Sequence, residues 1–422
     1  MTAIDRRNLQ AFHAFARLGR LLADKPPGRS PRPDGAPLAL SVGEPRRPPP
    51  DFVAAELAAA VAGWGRYPTA RGDPRHLAAV AGWLQRRYDL PDSVVGSGRM
   101  LDPERCLLPL PGSREGLFFA VLATVPATTQ VGGAAPVVLI PNPFYHVYAG
   151  AVAAAGAEPV FVPATRETGF LPDYAALDEA ILERTALCFC NSPSNPQGAV
   201  ADLARLTRLL ELARRHDFVV AFDECYSEIY TGAPPPGGIQ AAAALGDGLD
   251  NLLVFNSLSK RSSAPGLRCG FAAGPPALIE SLDAILRIGG AGVSQPVIAA
   301  GTRLWQEEDH VREARAAYQA NFAVAERVLG NRFGFRKPEG GFFLWLDVGD
   351  GERAAVELWC RAGIRVLPGA YMAADTAGAE QNGPGNPGGN PGGNPGAGFI
   401  RAALVEDADL TEAALVRLVE VL

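Results

Sequence analysis

Ser257-Leu258-Ser259-Lys260-Arg261-Ser262-Ser263-Ala264-Pro265-Gly266-Leu267-Arg268 is the stretch on which the reading of this chain turns. Lysine occurs only at Lys25, Lys260 and Lys337, and arginine carries the rest of the basic charge. Lys260 follows the apolar run Leu252-Leu253-Val254-Phe255 and is flanked by small hydroxyl residues. A lysine, unlike an arginine, can lose its proton, attack a carbonyl and form an imine. Arg268 and the serines around Lys260 add donors for a phosphate. A surface lysine in a Ser-rich loop fits the same letters, so the stretch has to be weighed against the rest of the chain.

With 422 residues, 48% of them hydrophobic, the chain can bury a large core as one large α/β unit or two to three domains. The net charge of −6 gives no electrostatic case for nucleic acid or an anionic membrane. No run reaches the length of a membrane span. The first ten residues carry Asp5, Arg6 and Arg7 and show no secretory signal, so a cytoplasmic setting is expected. Six cysteines are spread singly apart from Cys188-Phe189-Cys190, whose thiols share one side of a strand. They complete no metal set, and buried free thiols are the expectation.

Taken in order, residues 5–24 have helical periodicity, and 25–50 form a Pro/Gly/Arg-rich extended segment that includes Leu38 to Val42 and Gly43. Helices are expected over 51–63 and 73–88, joined by a loop holding Arg66, Tyr67 and Arg71. Strands then alternate with helices. The strands are expected at 106–109, 136–140, 158–162, 185–190, 218–222, 252–256 and 269–273, and one helix near 173–184. This pattern argues for a mainly parallel sheet covered on both faces. Beyond Pro275 come a helix at 276–287 and a long, bent one at 294–329, strands at 341–348, 364–367 and 399–404, and helices at 352–362 and after 410. The fold class is therefore α/β, with a large mainly parallel sheet domain over 51–290 and a smaller α+β domain from 1–50 and 291–422. Gly-Asn-Pro-Gly recurs within 378–398, which reads as a flexible loop.

Ser113, Tyr145, Asn195, Asp223, Tyr226 and Ser257 all fall where a strand ends. In open parallel sheets ligands bind at the carboxyl ends of the strands, so one site can collect them all. Each has a plainer reading, a helix cap for Asp223 or a core aromatic for Tyr145, but the convergence favours a site.

In this order, Gly43, Tyr67, Gly112-Ser113-Arg114, Tyr145, Asn195-Pro196-Gln197-Gly198, Asp223 with Tyr226, Ser257-Leu258-Ser259-Lys260, Arg268 and Arg401 resemble the class I/II aminotransferases. These are fold-type I pyridoxal-phosphate (PLP) enzymes. The resemblance runs from about Ser41 to the end of the chain. It implies a seven-stranded αβα sandwich and PLP as cofactor. It implies that Lys260 forms the imine and shuttles a proton, and that Asp223 sits beside the pyridine nitrogen. Asn195 and Tyr226 would hold the ring oxygen, and Tyr145 would stack on the ring. Ser113, Arg114, Ser257, Ser259 and Arg268 would bind the phosphate, with Tyr67 reaching the site of a second subunit in a homodimer. Gly43, Asn195 and Arg401 would contact the substrate, Arg401 through its α-carboxylate. No metal is implied.

Residues 112–118, 142–148 and 259–268 further resemble the proteobacterial subgroup that acts on N-succinyldiaminopimelate. That implies glutamate as amino donor and N-succinyl-2-amino-6-oxopimelate as acceptor, with Arg66, Arg71 and Arg261 as candidates for the far carboxylates and Gly289, Gly290 and Gly292 for room. Another class I/II aminotransferase (aspartate, aromatic or alanine type), a PLP-dependent lyase, and a PLP-binding regulatory module remain the alternatives. The last would need a DNA-binding domain ahead of Ser41, where one helix and a Pro-rich stretch leave little space.

Overall fold

The computed structural model describes residues 13–126, 134–375 and 393–422. Strand β1, Leu38–Ala39, precedes a seven-stranded sheet. That sheet comprises β2 (Leu107–Leu110), β3 (Val137–Asn142), β4 (Glu158–Pro163), β5 (Thr185–Asn191), β6 (Val219–Asp223), β7 (Leu252–Ser257) and β8 (Gly270–Ala273). Their spatial order is β2-β8-β7-β6-β5-β3-β4. Only β8 runs against its neighbours.

Every residue of β2, β3 and β7 is buried, as a sheet covered on both faces requires. Alternate residues feed two cores. Val220, Phe222, Leu252 and Val254 join one layer of helices, and Ala221, Leu253 and Phe255 join the other. Each buried Val, Leu or Phe contributes roughly 1.5–3 kcal/mol before chain entropy is counted. Register aligns Asn191 with Asp223 and Asp223 with Phe255, so the polar ends of β5, β6 and β7 meet at one edge.

A third core gathers Leu38, Phe322, Leu344, Leu358 and Leu415. It packs on a three-stranded antiparallel sheet of β9 (Phe343–Asp347), β12 (Phe399–Ala403) and β11 (Leu367–Pro368), while β10 (Ile364–Arg365) pairs with β1.

Several elements differ from the sequence expectation. The helix expected over 294–329 is two helices, Gln295–Gln306 and Asp309–Leu329, broken at Glu307 and Glu308. The first packs into the core of the large sheet through Ile298, Ala300, Leu304 and Trp305. The 51–63 helix stops at Ala59 and continues as a tight turn, Val61–Gly65. Near 173–184 there are only single turns at Tyr174–Ala176 and Glu179–Leu182. The 364–367 strand divides between two sheets. A helix at Gly238–Leu245 was not foreseen. Of the 5–24 helix, Ala14–Leu22 is helical, and residues 1–12 lie outside the described residues.

Most of the 378–398 repeat also lies outside them. Its last copy does not behave as a free loop. Asn394 Nδ2 donates to the carbonyls of Ala370 (3.2 Å) and Ala373 (3.1 Å), and the Gly351 amide bonds Ala397 O. Cys360 is exposed, against the expectation of buried thiols; the other five are buried or partly so.

Candidate active site

One cavity of roughly 210 Å³ lies at the polar edge of the large sheet. Gly43, Ser113, Arg114, Tyr145, Asn195, Asp223, Tyr226, Ser257, Ser259, Lys260, Arg268 and Arg401 all line it. Tyr67 does not; its side chain is 98% exposed on the surface of its own chain.

Lys260 sits on a single helical turn, Leu258–Arg261, directly after β7. Its Nζ donates to the Gly43 carbonyl. Burial, joined by Arg401 and Arg114, brings the amine down to about 8, against the pull of Cys225 and Glu44. A Cβ on Gly43 would lie 2.4 Å from Phe343, so only glycine lets this backbone pass.

Asp223 ends β6 and is buried. Burial pushes its carboxyl above the usual carboxylate range, while bonds from Cys225 and Tyr148 pull it back. Tyr148 donates to Oδ2 at 2.6 Å and the Cys225 amide to Oδ1 at 3.3 Å. Asn191 Nδ2 donates to the Asp223 carbonyl and its Oδ1 accepts the Asn195 amide at 2.7 Å, which ties β5 to β6.

Arg401 comes from the small sheet, on β12, and is 4% exposed. Its Nη1 donates to Asn195 Oδ1 at 2.9 Å and its Nη2 to the Ser41 carbonyl at 2.6 Å. Nε has no partner, and no carboxylate forms a salt bridge with it among the described residues. Burial lowers this guanidinium to about 10. A buried cation bonded only to neutral acceptors is a site for an anion.

Gly112 (φ +95°) turns the chain into helix Ser113–Thr124. A Cβ there would lie 2.4 Å from Arg268 Nη2, so glycine brings the helix N-terminus beside that guanidinium. Arg268 also holds the Glu115 carboxylate at 2.8 Å. Arg114 Nε donates to the Tyr145 hydroxyl at 2.9 Å. Tyr226 packs edge-on against Phe342 and Phe343.

This donor set fits PLP. A helix N-terminus with Arg268, Ser257 and Ser259 suits a phosphate. A buried carboxyl displaced upward suits a protonated ring nitrogen, and a buried primary amine suits an aldehyde.

Among the lining or supporting residues not called from the sequence are Asn191, described above, and three more. Tyr148 reaches Asp223, Cys225 Sγ lies 2.9 Å from Ser113 Oγ, and Phe15 of the first described helix lines the cavity. Tyr148 carried a signal, since it lies three positions after Tyr145, the residue that caps the same helix. Arg66, Arg71, Arg261 and the glycines at 289, 290 and 292 do not line the cavity. Arg261 is 1% exposed and ion-paired with Glu308 elsewhere, because the turn that aims Lys260 inward aims its neighbour into the core.

Residues 37–383 match the family model of aminotransferase class I and II. An LL-diaminopimelate aminotransferase of Desulforudis audaxviator is 34% identical over 373 residues, covering 86% of this chain and 88% of that protein. A crystal structure of an aminotransferase from Neisseria meningitidis superposes with a TM-score of 0.84 at 36% identity and covers 96% of each chain. A Thermus thermophilus protein described as a probable N-succinyldiaminopimelate aminotransferase superposes at 0.79 with 25% identity, covering 97% of this chain and 100% of that one. The site geometry and these likenesses agree: the chain belongs to the class I and II aminotransferases, which are PLP-dependent enzymes of fold type I.

Proposed function

We propose that this enzyme moves an amino group between glutamate and the diaminopimelate series, with N-succinyl-2-amino-6-oxopimelate as the keto acceptor. The observation that carries the reading is the charge of the cavity wall. It holds Arg114, Lys260, Arg268 and Arg401 against one carboxylate, Asp223. Arg401 takes the α-carboxylate in a bidentate clamp. Arg114, which makes no salt bridge among the described residues, is the cation for the far carboxylates. Among the described residues that line the cavity, a free ammonium at the far end of the substrate meets no acid apart from Asp223, whereas a succinylated nitrogen is uncharged and brings a further carboxylate. The names of the similar proteins, an LL-diaminopimelate and a probable N-succinyldiaminopimelate aminotransferase, support a diaminopimelate skeleton.

Bound PLP supplies an aldehyde for the amino group and a ring that accepts electrons from Cα. The chain supplies the rest. Lys260 Nζ, lowered to about 8, removes the Cα proton and holds it for return. Asp223, which accepts from Tyr148 and the Cys225 amide, would set the charge at the ring nitrogen. Asn195 orients both the ring oxygen and Arg401, since it already bonds that guanidinium. Tyr226 would hold the ring oxygen, and Tyr145 would cover the ring face. The backbone amides of Ser113 and Arg114 at the helix N-terminus, with Ser257, Ser259 and Arg268, would hold the phosphate.

Two copies share their sites in this proposal. Val61, Trp64 and Tyr67 are 60%, 58% and 98% exposed, an apolar run that a second copy would cover while Tyr67 reaches its phosphate.

A second reading, free LL-diaminopimelate as substrate, is favoured by the name of the Desulforudis relative. The test is a panel of kcat/KM values for the succinylated acceptor, free LL-diaminopimelate in the reverse direction against its succinylated form, oxaloacetate and phenylpyruvate. The succinylated compounds are expected to lead by at least about tenfold, about 1.4 kcal/mol in the transition state. A lead for the free diamine replaces the first reading with the second, and a lead for oxaloacetate or phenylpyruvate removes both.

A further inference from the structure

Arg261 follows Lys260 directly and is buried on the side away from the cavity. Its guanidinium donates to the carbonyls of Leu304 (2.5 Å) and Glu307 (3.0 Å) and to Glu308 Oε1 (2.8 Å). Those carbonyls lie where the helix Gln295–Gln306 ends, so Arg261 satisfies acceptors that the break leaves open. The guanidinium lies 5.7 Å from the ring of Trp83 and 5.2 Å from that of Trp305. Its Nε faces Glu228 Oε1 at 3.9 Å.

Glu228 is itself 3% exposed. It accepts from Trp83 Nε1 at 3.0 Å and Arg315 Nη2 at 2.7 Å, with Arg87 Nε 3.6 Å away. It stands two positions after Tyr226 and five after Asp223. Neutral bonds join the same two segments: Asn256 Nδ2 donates to the Glu224 carbonyl at 2.9 Å and to Ser227 Oγ at 3.0 Å.

We propose that Arg261 is a positioning residue for Lys260, its hydrogen bond to Glu308 and its 3.9 Å ion pair with Glu228, made without a hydrogen bond, fixing the turn that carries the amine against the segment that carries Asp223 and Tyr226. Net stability is a poor reason for such a cluster, because burying charges costs about what their pairing returns. Two tryptophans could pack equally well around an apolar side chain. Registry between two catalytic segments is what an apolar side chain would not give. The amine that is held in place faces the Gly43 carbonyl, Glu44, Cys225, Arg114 and Arg401. A small rotation of the turn changes its distance to each. Arg261 itself faces Glu228, Glu308 and Arg86. The inference rests on Lys260 being the catalytic amine and not on the substrate proposed above.

The test uses the holoenzyme and the variants Arg261→Met, Arg261→Lys and Glu308→Gln. The readouts are the melting temperature, the pH midpoint of the visible absorbance of bound PLP, and kcat and KM for glutamate. Folded Arg261→Met is expected to move the midpoint by at least about 0.5 pH unit and to lower kcat at least about tenfold, with KM within about twofold. Arg261→Lys should recover part of both. A folded Arg261→Met with the parent's midpoint and kcat overturns the proposal, as does a KM that moves as far as kcat. Should Arg261→Met fail to fold, Glu308→Gln decides by the same criteria, since that side chain is 31% exposed and its loss is easier to tolerate. Lys260→Ala is the control: if it keeps the visible absorbance, the assignment of the amine fails instead.

Discussion

The Tyr148 hydroxyl lies 2.6 Å from Asp223 Oδ2, and the two residues are 75 positions apart in the chain. Tyr148 is fully buried, and its ring stacks on Phe189 with centroids 4.2 Å apart. The carboxylate at the end of β6 is therefore held by a hydroxyl that packing has already immobilised. A hydrogen bond to a charged group of this kind is worth about 1.5–3 kcal/mol.

Tyr148→Phe keeps the ring stack and removes that bond. The bond lowers Asp223, so its loss raises it, and the acid limb of the kcat–pH profile should shift to higher pH. At neutral pH kcat should fall about tenfold or more. An unchanged acid limb would show that Tyr148 does not govern Asp223.

Lys260 carries a penalty for burial in the cofactor-free protein. Its folded value is about 8 against an ordinary value of 10.5, so the unfolded chain binds more protons between these limits. Stability from this group is therefore gained as pH rises from about 8 to 10.5 and is lost as pH falls through about 8. Cofactor-free Lys260→Met should be more stable than the parent at pH 7, by something on the order of 3 kcal/mol. The gap should close as pH rises. Denaturant melts at a series of pH values measure it, and a gap independent of pH would count against the burial argument.

Arg401→Lys preserves charge but loses the planar fork. KM for glutamate should rise at least about tenfold, because one ammonium cannot bond both carboxylate oxygens in parallel. The Asn195 side chain and the Ser41 carbonyl would also have to share a single donor group. Steady-state kinetics with KM unchanged would move the α-carboxylate site elsewhere.

Asn394 belongs to the last Gly-Asn-Pro-Gly copy and bonds the Ala370 and Ala373 carbonyls and Asp375 Oδ1. Asn394→Ala should cost about 1–3 kcal/mol through the carbonyls left unpaired. Deleting Gly385 to Gly392, in contrast, should change little, because the closure entropy of a connection between two fixed ends varies slowly with the number of residues in it. Thermal melts of the two variants compare them directly. Equal melting temperatures for Asn394→Ala and the parent would make this copy no different from the rest.

Lys260 was legible from sequence because lysine is scarce here and this one follows a strand. The large sheet was legible for a similar reason: strands buried on both faces write themselves as apolar runs, and their ends as polar residues. Local letters suffice when the cause is local. They could not place Arg261, because neighbours on one helical turn point in different directions and only packing says which is inward. Nor could they join Arg401 to Asn195, 206 positions apart, or Tyr148 to Asp223. Those bonds exist because β12 of the small sheet and a helix of the large domain are carried to the same edge. The break at Glu307 and Glu308 is of the same kind, since helical periodicity continues through it and the side chain that bonds the freed carbonyls lies at position 261. Sequence thus determined which chemical groups the enzyme has, and tertiary packing decided which of them meet, because contacts between distant segments depend on the whole core that holds both.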